Sequence, residues 1–365
     1  MHDEASAVFS HIARNDHEQV IFCQDAASGL KAIIAIHDTT LGPALGGCRM
    51  YPYASEDEAL HDVLRLSRGM TYKSAVAGLN LGGGKAVIIG NPKTDKKETL
   101  WRALGRFIAG LGGRYVTAED SGSNLADMET VRLETRHVVG VSKALGGSGD
   151  PSPVTALGVF SGMRAAIEEG LGHNNFAGLK VAVQGCGAVG YHLVGHLVRA
   201  GAHVIVTDKD QDALERVATD FPVEVKAPDE LLSTACDVLA PCAMGGILNA
   251  HTIGQLRCKV VAGAANNQLG HEQEDGQRLA DRGITYAPDF VINAGGIINV
   301  ASELEGYYNP ERALAQAQGI HGTLRAVFAH AKKHNIRSFA AANELARQRL
   351  DAINRSRRIY RPASS

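Results

Sequence analysis

Residues 20–36, VIFCQDAASGLKAIIAI, are two apolar stretches broken by Ala-Ser-Gly, a pattern that predicts two strands around a turn at Ser28-Gly29. The next stretch, TTLGPALGGCRMYPY, is rich in glycine and proline and reads as a loop. Ser55 and Glu58 have capping-box spacing, and Leu60, Val63, Leu64 and Ser67 follow at helical intervals. A helix is therefore expected to run toward Met70 and deliver Thr71-Tyr72-Lys73 at its end. Three glycines and Lys85 come next, then an apolar strand, KAVIIG. Leu100, Leu104, Phe107, Ile108 and Leu111 mark another amphipathic helix, stopped by Gly112-Gly113. RYVTA is a further strand, leading into Glu119-Asp120. This first region has no regular strand–helix repeat.

From about residue 150 the rhythm changes. PSPVTALGVFSGMRAAIEEGL predicts a helix, LKVAVQG a buried strand, GCGAVGYHLVGHLVRAG a turn and helix, and AHVIVTD a second strand. CDVLAP, KVVAGAA and ITYAPD are further strand candidates, with helical patterns between most of them. Strands alternating with helices predict a parallel sheet covered on both faces, a doubly wound α/β fold of Rossmann type. The expected division is a substrate-binding, catalytic and oligomerisation domain over 1–148, joined by 335–365, and a dinucleotide-binding domain over 149–334. The last helix is expected to pack back on the first domain.

Composition narrows the function classes. At 365 residues the chain can bury two cores, and 45% apolar with 21% charged residues is ordinary for a globular protein. A net charge of −2 provides no broad basic field for nucleic acid. No run approaches 18 apolar residues, so no membrane span is expected. The first twenty residues carry early acids and no apolar core, which argues against a signal peptide. The six cysteines form no CxxC pair and no zinc-like cluster, so they are expected to be buried thiols in a reducing compartment, with no metal site. These features fit a cytoplasmic enzyme.

Gly185-Cys186-Gly187-Ala188-Val189-Gly190 is GxGxxG, with Tyr191 next in the helix it opens. Glycines are common in this chain, so the pattern alone is weak. Its setting is not: a strand precedes it, a helix follows, and Asp208 ends the next strand. The first glycine permits the turn, the second lets main chain approach a pyrophosphate, and the third lets helix and strand pack. Asp208 can accept from ribose hydroxyls and repels a 2′-phosphate, which favours NAD over NADP, although Lys209 is adjacent. In the first region, Lys73, Lys85 and Asp120 stand beside glycine or turn signals. One lysine can clamp a carboxylate, a second near it can act as a base, and a carboxylate can exchange protons with an amine. Taken singly, each also has an ordinary reading, as a lysine complementing a helix end or an aspartate capping a helix.

Many blocks of the chain together resemble the glutamate/leucine/phenylalanine/valine amino-acid dehydrogenase family, and most of all its bacterial leucine-type branch. They include LRLSRGMTYKSAVAGLNLGGGKAVIIG, RYVTAEDSG, PSPVTALGVF, VAVQGCGAVG, VLAPCAMGGILN, GAANNQL and APDFVINAGGIINVASE, and they span most of residues 20–305. The resemblance implies reversible oxidative deamination of an L-amino acid to a 2-oxo acid, ammonium and NADH. It assigns Lys73 to the substrate α-carboxylate, Lys85 to the base assisting water, and Asp120 to proton exchange with nitrogen. Asn267 would lie near nicotinamide and substrate, and Thr155 near the carboxamide. The glycines before Lys85 would let substrate and ring pack on main chain. The substrate positions would be Leu45, Gly46, Gly47, Ala118, Ile297 and Val300, of which the side-chain pocket residues are all apolar. That lining is expected to exclude glutamate and to suit leucine, isoleucine and valine, with phenylalanine or tryptophan as the alternative. Relatives of this kind form homo-oligomers, octamers or dimers. A 2-hydroxy-acid dehydrogenase would need a histidine–arginine pair that the sequence does not display, and a non-catalytic NAD sensor would not need Lys73, Lys85 and Asp120 together.

Overall fold

The computed structural model describes residues 8–243 and 245–356; the first seven residues of the segment read for a leader lie outside them. The chain divides into two compact units. One is Met1–Asp150 with Val300–Tyr308 and Ala346–Ser365, and the other is Pro151–Asn299 with Asn309–Leu345. Residues 300–308 thus group with the first unit and 335–345 with the second, the reverse of the expected assignment.

The first unit is built on a five-stranded sheet of β1 (Gln19–Asp25), β2 (Leu30–Asp38), β3 (Ala44–Tyr51), β4 (Gly82–Ile89) and β5 (Tyr115–Glu119), in the order β1-β2-β4-β3-β5. The β1–β2 hairpin turns at Gly29, whose φ of 78° is a conformation glycine adopts without cost. β2 is antiparallel to β4, while β3 is parallel to both β4 and β5. β3 corrects the sequence reading, which made this stretch a loop. It is an interior strand, and its Gly46-Gly47 pair marks close approach of neighbouring main chain rather than a turn. A Cβ on Gly46 would stand 1.7 Å from the Gly84 carbonyl oxygen, and one on Gly47 2.3 Å from that of Glu119.

The triple glycine is a second correction. Gly82, Gly83 and Gly84 lie within β4 and are buried. A Cβ on Gly83 would meet the Thr71 nitrogen at 2.1 Å, and one on Gly84 the Tyr115 ring at 2.7 Å. The glycines therefore bring the helix Glu56–Val76 and the Tyr115 side chain against the strand. That helix starts at Ser55, whose hydroxyl accepts from Glu58 N at 3.1 Å, and buries Leu60, Val63 and Leu64 against Ile33, Ala35 and Val87. The opposite sheet face carries the larger core, with Trp101, Leu104 and Ile108 of the helix Glu98–Gly110. Each such side chain contributes roughly 1.5–3 kcal/mol by burial.

The helix Ser338–Ser356 ends in the first unit. There Arg349 donates to the carbonyls of Ala75, Gly78 and Leu79 and to Asn80 Oδ1, at 2.7–3.1 Å. These carbonyls lie at and just beyond the end of the helix bearing Lys73, where main-chain acceptors lack helical donors.

The second unit contains a six-stranded sheet, all parallel, of β6 (Lys180–Gln184), β7 (His203–Thr207), β8 (Val223–Val225), β9 (Val238–Pro241), β10 (Val260–Val261) and β11 (Thr285–Tyr286). The order β11-β10-β9-β6-β7-β8 reverses direction between β6 and β9. This is the doubly wound topology, and ligands of such sheets bind outside the strand ends at the reversal. Among the described residues no helix is long and apolar enough to cross a membrane.

Candidate active site

Strand alternation determines which side chains share a face in the first unit. Leu45 pairs with Gly83 and Val116, Gly47 with Ala118, and Arg49 with Val87. Leu45, Gly47 and Arg49 of β3, Gly83 and Lys85 of β4 and Ala118 of β5 therefore lie on one face, the face covered over β2 and β4 by the helix Glu56–Val76. Asp120 follows the end of β5. Lys85, 5% exposed, reaches it across β3, with Nζ 2.7 Å from Asp120 Oδ2. The crossing is open because Gly47 has no side chain; its Cβ would fall 2.9 Å from that of Asp120.

Asp120 also receives Arg49 Nε at 3.2 Å, and Arg49 Nη1 contacts Asp62 Oδ2 at 2.9 Å. Burial alone would push the Asp120 carboxyl up, but the charges of Lys85 and Arg49 outweigh it and hold it below the usual carboxylate range. Its neighbour Glu119 is pushed up, by burial first and then by the charges of Asp150 and Asp120. The Ser123 hydroxyl donates to Cys48 O at 2.7 Å and accepts from Asp120 N at 2.8 Å, fixing the turn that carries Asp120. A buried base–acid pair of this kind can move protons at a bound substrate.

Lys73 is half-buried in the last turn of its helix, two residues beyond Thr71, which packs on Gly83. Leu45 and Ala118 are buried, as is Val300, which lies beside Gly140. Gly46 is enclosed between strands rather than exposed at a cavity. Sequence reasoning missed Arg49 and Asp62. An arginine next to a buried strand position was the available signal, but reading β3 as a loop concealed it.

In the second unit the glycine loop has the geometry a dinucleotide needs. Gly185 has φ 107°, and a Cβ on Gly190 would lie 1.9 Å from Gly185 O, so loop and helix Ala188–Arg199 touch through main chain. Gly187 differs from both: nothing lies within 4 Å of where its Cβ would be, so space is open at the helix N-terminus. Asp208 accepts from Cys186 N at 2.5 Å and Asp210 N at 2.9 Å, which fixes its carboxylate beside the loop. A cavity of about 620 Å³, lined by Gln184, Gly185, Thr207, Asp208, Lys209 and Gly246 among others, opens at the ends of β6 and β7. Open space, helix N–H groups and a fixed carboxylate fit a dinucleotide. Ala188 is exposed and Val189 half-buried at this helix start. Tyr191 is turned elsewhere: its hydroxyl bonds Asp220 at 2.8 Å and its ring lies under Arg216.

Asn267 is exposed with φ 50°, a strained conformation held by its neighbours. Asn293 Nδ2 bonds Asn266 Oδ1 at 2.7 Å, and Asp289 accepts from Gln268 N at 3.0 Å. Thr155 donates to Pro151 O at 2.9 Å and packs against Gly295 and Gly296, which open the helix Gly295–Ala301 that carries buried Ile297.

Both units match sequences of one family. Residues 17–137 match the Glu/Leu/Phe/Val dehydrogenase dimerisation domain, and 146–214 with 206–358 match the Glutamate/Leucine/Phenylalanine/Valine dehydrogenase domain. The leucine dehydrogenase of Thermoactinomyces intermedius is 54% identical over 353 residues, covering 97% of this chain and 96% of that protein. The valine dehydrogenase of Streptomyces virginiae is 53% identical over 343 residues, or 93% and 95%. The crystal structure of L-tryptophan dehydrogenase from Nostoc punctiforme superposes with a TM-score of 0.84 at 47% identity, covering 95% of this chain and 99% of that one. The two-unit architecture and these matches define an NAD(P)-dependent amino-acid dehydrogenase. The chain belongs to the Glu/Leu/Phe/Val dehydrogenase family.

Proposed function

We propose that the substrates are leucine, isoleucine and valine, oxidised with NAD and water to the 2-oxo acid, ammonium, NADH and a proton. The observation that carries this reading is the apolar character of Leu45 and Ala118, buried on the same sheet face as Lys85. A glutamate side chain against these groups would leave a carboxylate unpaired, at a cost of several kcal/mol. Val300 and Ile297 are assigned to the same aliphatic lining. The tryptophan enzyme at 47% identity supports a second reading, an aromatic substrate. The leucine and valine relatives at 53–54% favour the branched-chain one.

In this reading the Lys73 ammonium pairs with the α-carboxylate and fixes the substrate. NAD, when bound, supplies the hydride acceptor for Cα; the loop 185–190 and Asp208 would hold its pyrophosphate and ribose, with Thr155 and Asn267 near the ring. Lys85 takes a proton from the water that adds to the imine carbon. Asp120 exchanges protons with the substrate nitrogen as the carbinolamine releases ammonia. The first unit is the substrate and catalytic domain, and the second holds the cofactor. Self-association is part of the proposal, since residues 17–137 match a dimerisation domain and edge strand β1 exposes Phe22.

The test is a substrate panel followed by NADH absorbance, with NADP run in parallel. Leucine, isoleucine and valine should exceed phenylalanine and tryptophan, and glutamate should be inert. Faster turnover of tryptophan would replace this reading with the aromatic one.

A further inference from the structure

The first unit holds a cation that the reaction above does not use. Arg49 has two carboxylate partners on two elements: Asp120 after β5, at 3.2 Å, and Asp62 in the helix Glu56–Val76, at 2.9 Å. Asp62 also accepts from the Tyr53 hydroxyl at 2.8 Å, on the Oδ2 that Arg49 binds, and from Arg65 at 2.9 Å on Oδ1. A planar guanidinium held at both ends in this way has a defined orientation that an ammonium could not reproduce.

We propose that Arg49 is a positioning residue for the reaction, clamping Asp120 against Lys85 and keeping it a carboxylate while Lys85 is without its proton. The inference rests on the catalytic assignment of Lys85 and Asp120. Both Lys85 and Arg49 bind the same oxygen, Asp120 Oδ2. When Lys85 serves as a base its charge is absent, and Asp120 would then be a largely buried carboxylate without that counterion. Such a group takes up a proton rather than stay charged, and could no longer accept one from the substrate nitrogen. Arginine does not release its proton in proteins, so its charge persists through the cycle.

Several groups near Asp120 are anionic or neutral: Glu119 beside it on β5, Asp150 near Glu119, the Cys48 thiol on β3, and Asp62 with Tyr53 beyond Arg49. Burial raises the Cys48 and Tyr53 groups, so both stay neutral. Arg49 is thus a positive charge on Asp120 itself that persists when Lys85 gives up its proton, with Arg65 a second such charge further out on Asp62.

The test compares pH profiles of kcat and kcat/KM for Arg49→Met, Arg49→Lys and Asp62→Asn, with NADH binding confirming a folded second unit. The Lys85–Asp120 pair titrates as a coupled unit. Removing a cation beside it moves the acid limb up, and removing an anion moves it down. Arg49→Met should raise the limb by about 1–3 pH units and lower kcat about 10–100-fold, with KM for the amino acid little changed. Asp62→Asn should lower the limb. Arg49→Lys should keep it near wild type while kcat falls, because charge is retained and the fork is lost. A merely structural role would reduce activity without opposed movements of the limb.

Equal or absent movement in Arg49→Met and Asp62→Asn would overturn the proposal. Where Arg49→Met does not fold, an upward movement in Arg49→Lys or an upward or unmoved limb in Asp62→Asn would do the same. Lys85→Ala and Asp120→Asn separate the layers. Turnover surviving in those two removes the catalytic assignment itself, whereas its loss there beside wild-type profiles in the Arg49 series removes only Arg49.

Discussion

In the first unit the proposed reactive region is a chain of side chains, Tyr53, Asp62, Arg49, Asp120 and Lys85, joined by contacts of 2.7–3.2 Å. In the second, the loop 185–190 has one titratable side chain, the Cys186 thiol, which burial pushes up to about 12. It offers main-chain N–H groups and unfilled space instead. The first region works through what its residues carry and the second through what they lack. They should therefore fail in opposite ways, the first by deletion of a group and the second by addition of one.

The largest expected effect is a deletion in the first unit. Lys85→Ala should lower kcat about a thousandfold, or ~4 kcal/mol of barrier, with NADH affinity unchanged in a fluorescence titration. Substantial residual turnover would break the comparison on that side.

The next concerns a neutral group beneath the helix that bears Lys73. His17 Nε2 donates to Leu64 O at 3.1 Å and lies 2.7 Å from Ser67 Oγ, and its ring meets that of His37. Burial, then the neighbouring His37 and Arg68 charges, lower its pKa from 6.5 to about 4. The unfolded chain then binds more protons between these values, so stability is full above pH 6.5 and falls as pH drops toward 4. The loss should be on the order of 2–3 kcal/mol. Trp101, the single tryptophan, lies in the first unit, so urea unfolding followed by its fluorescence reads this unit. His17→Gln should flatten the difference between pH 7 and pH 5; equal acid sensitivity in variant and wild type would show that the histidine is not the cause.

Additions in the second unit come next. Gly187→Val meets open space, so melting should be unchanged while NAD(H) affinity falls about 10–100-fold. An affinity within twofold of wild type would mean that no ligand approaches there. The smallest effect expected is in Asp208→Asn, where the preference for NAD over NADP should weaken about tenfold, read as a ratio of kcat/KM values. An unchanged ratio would take the ribose role from Asp208.

Much of this was legible in the sequence because it is local. The helix Glu98–Gly110 shows its apolar stripe, and the glycine fingerprint lies between a readable strand and a readable helix. β3 was not legible, since paired glycines signal a turn to any local reading, and only the Gly84 carbonyl 1.7 Å from a hypothetical Gly46 Cβ explains them. Lys85 and Asp120 stood out singly, but their pairing depends on Gly47 leaving the way open across a strand between them. Arg49 was hidden for a related reason: its partner Asp120 is 71 residues away, and register brings them together. The short strand Val223–Val225, at a sheet edge and with little burial, carries too weak an apolar signal to be found.

The Arg349 clamp has a consequence for biosynthesis. Its contact with Ala75 spans 274 positions, so a ribosome has threaded the whole parallel sheet of the second unit before that guanidinium emerges. Until then the Gly78 and Leu79 carbonyls lack that guanidinium, while Ala75 O already has the Gly78 N–H at 3.2 Å. The portion of the enzyme made earliest is thus among the last to be finished, and a nascent chain stalled near residue 340 would display the sheet of its first unit with that helix end still uncapped by Arg349.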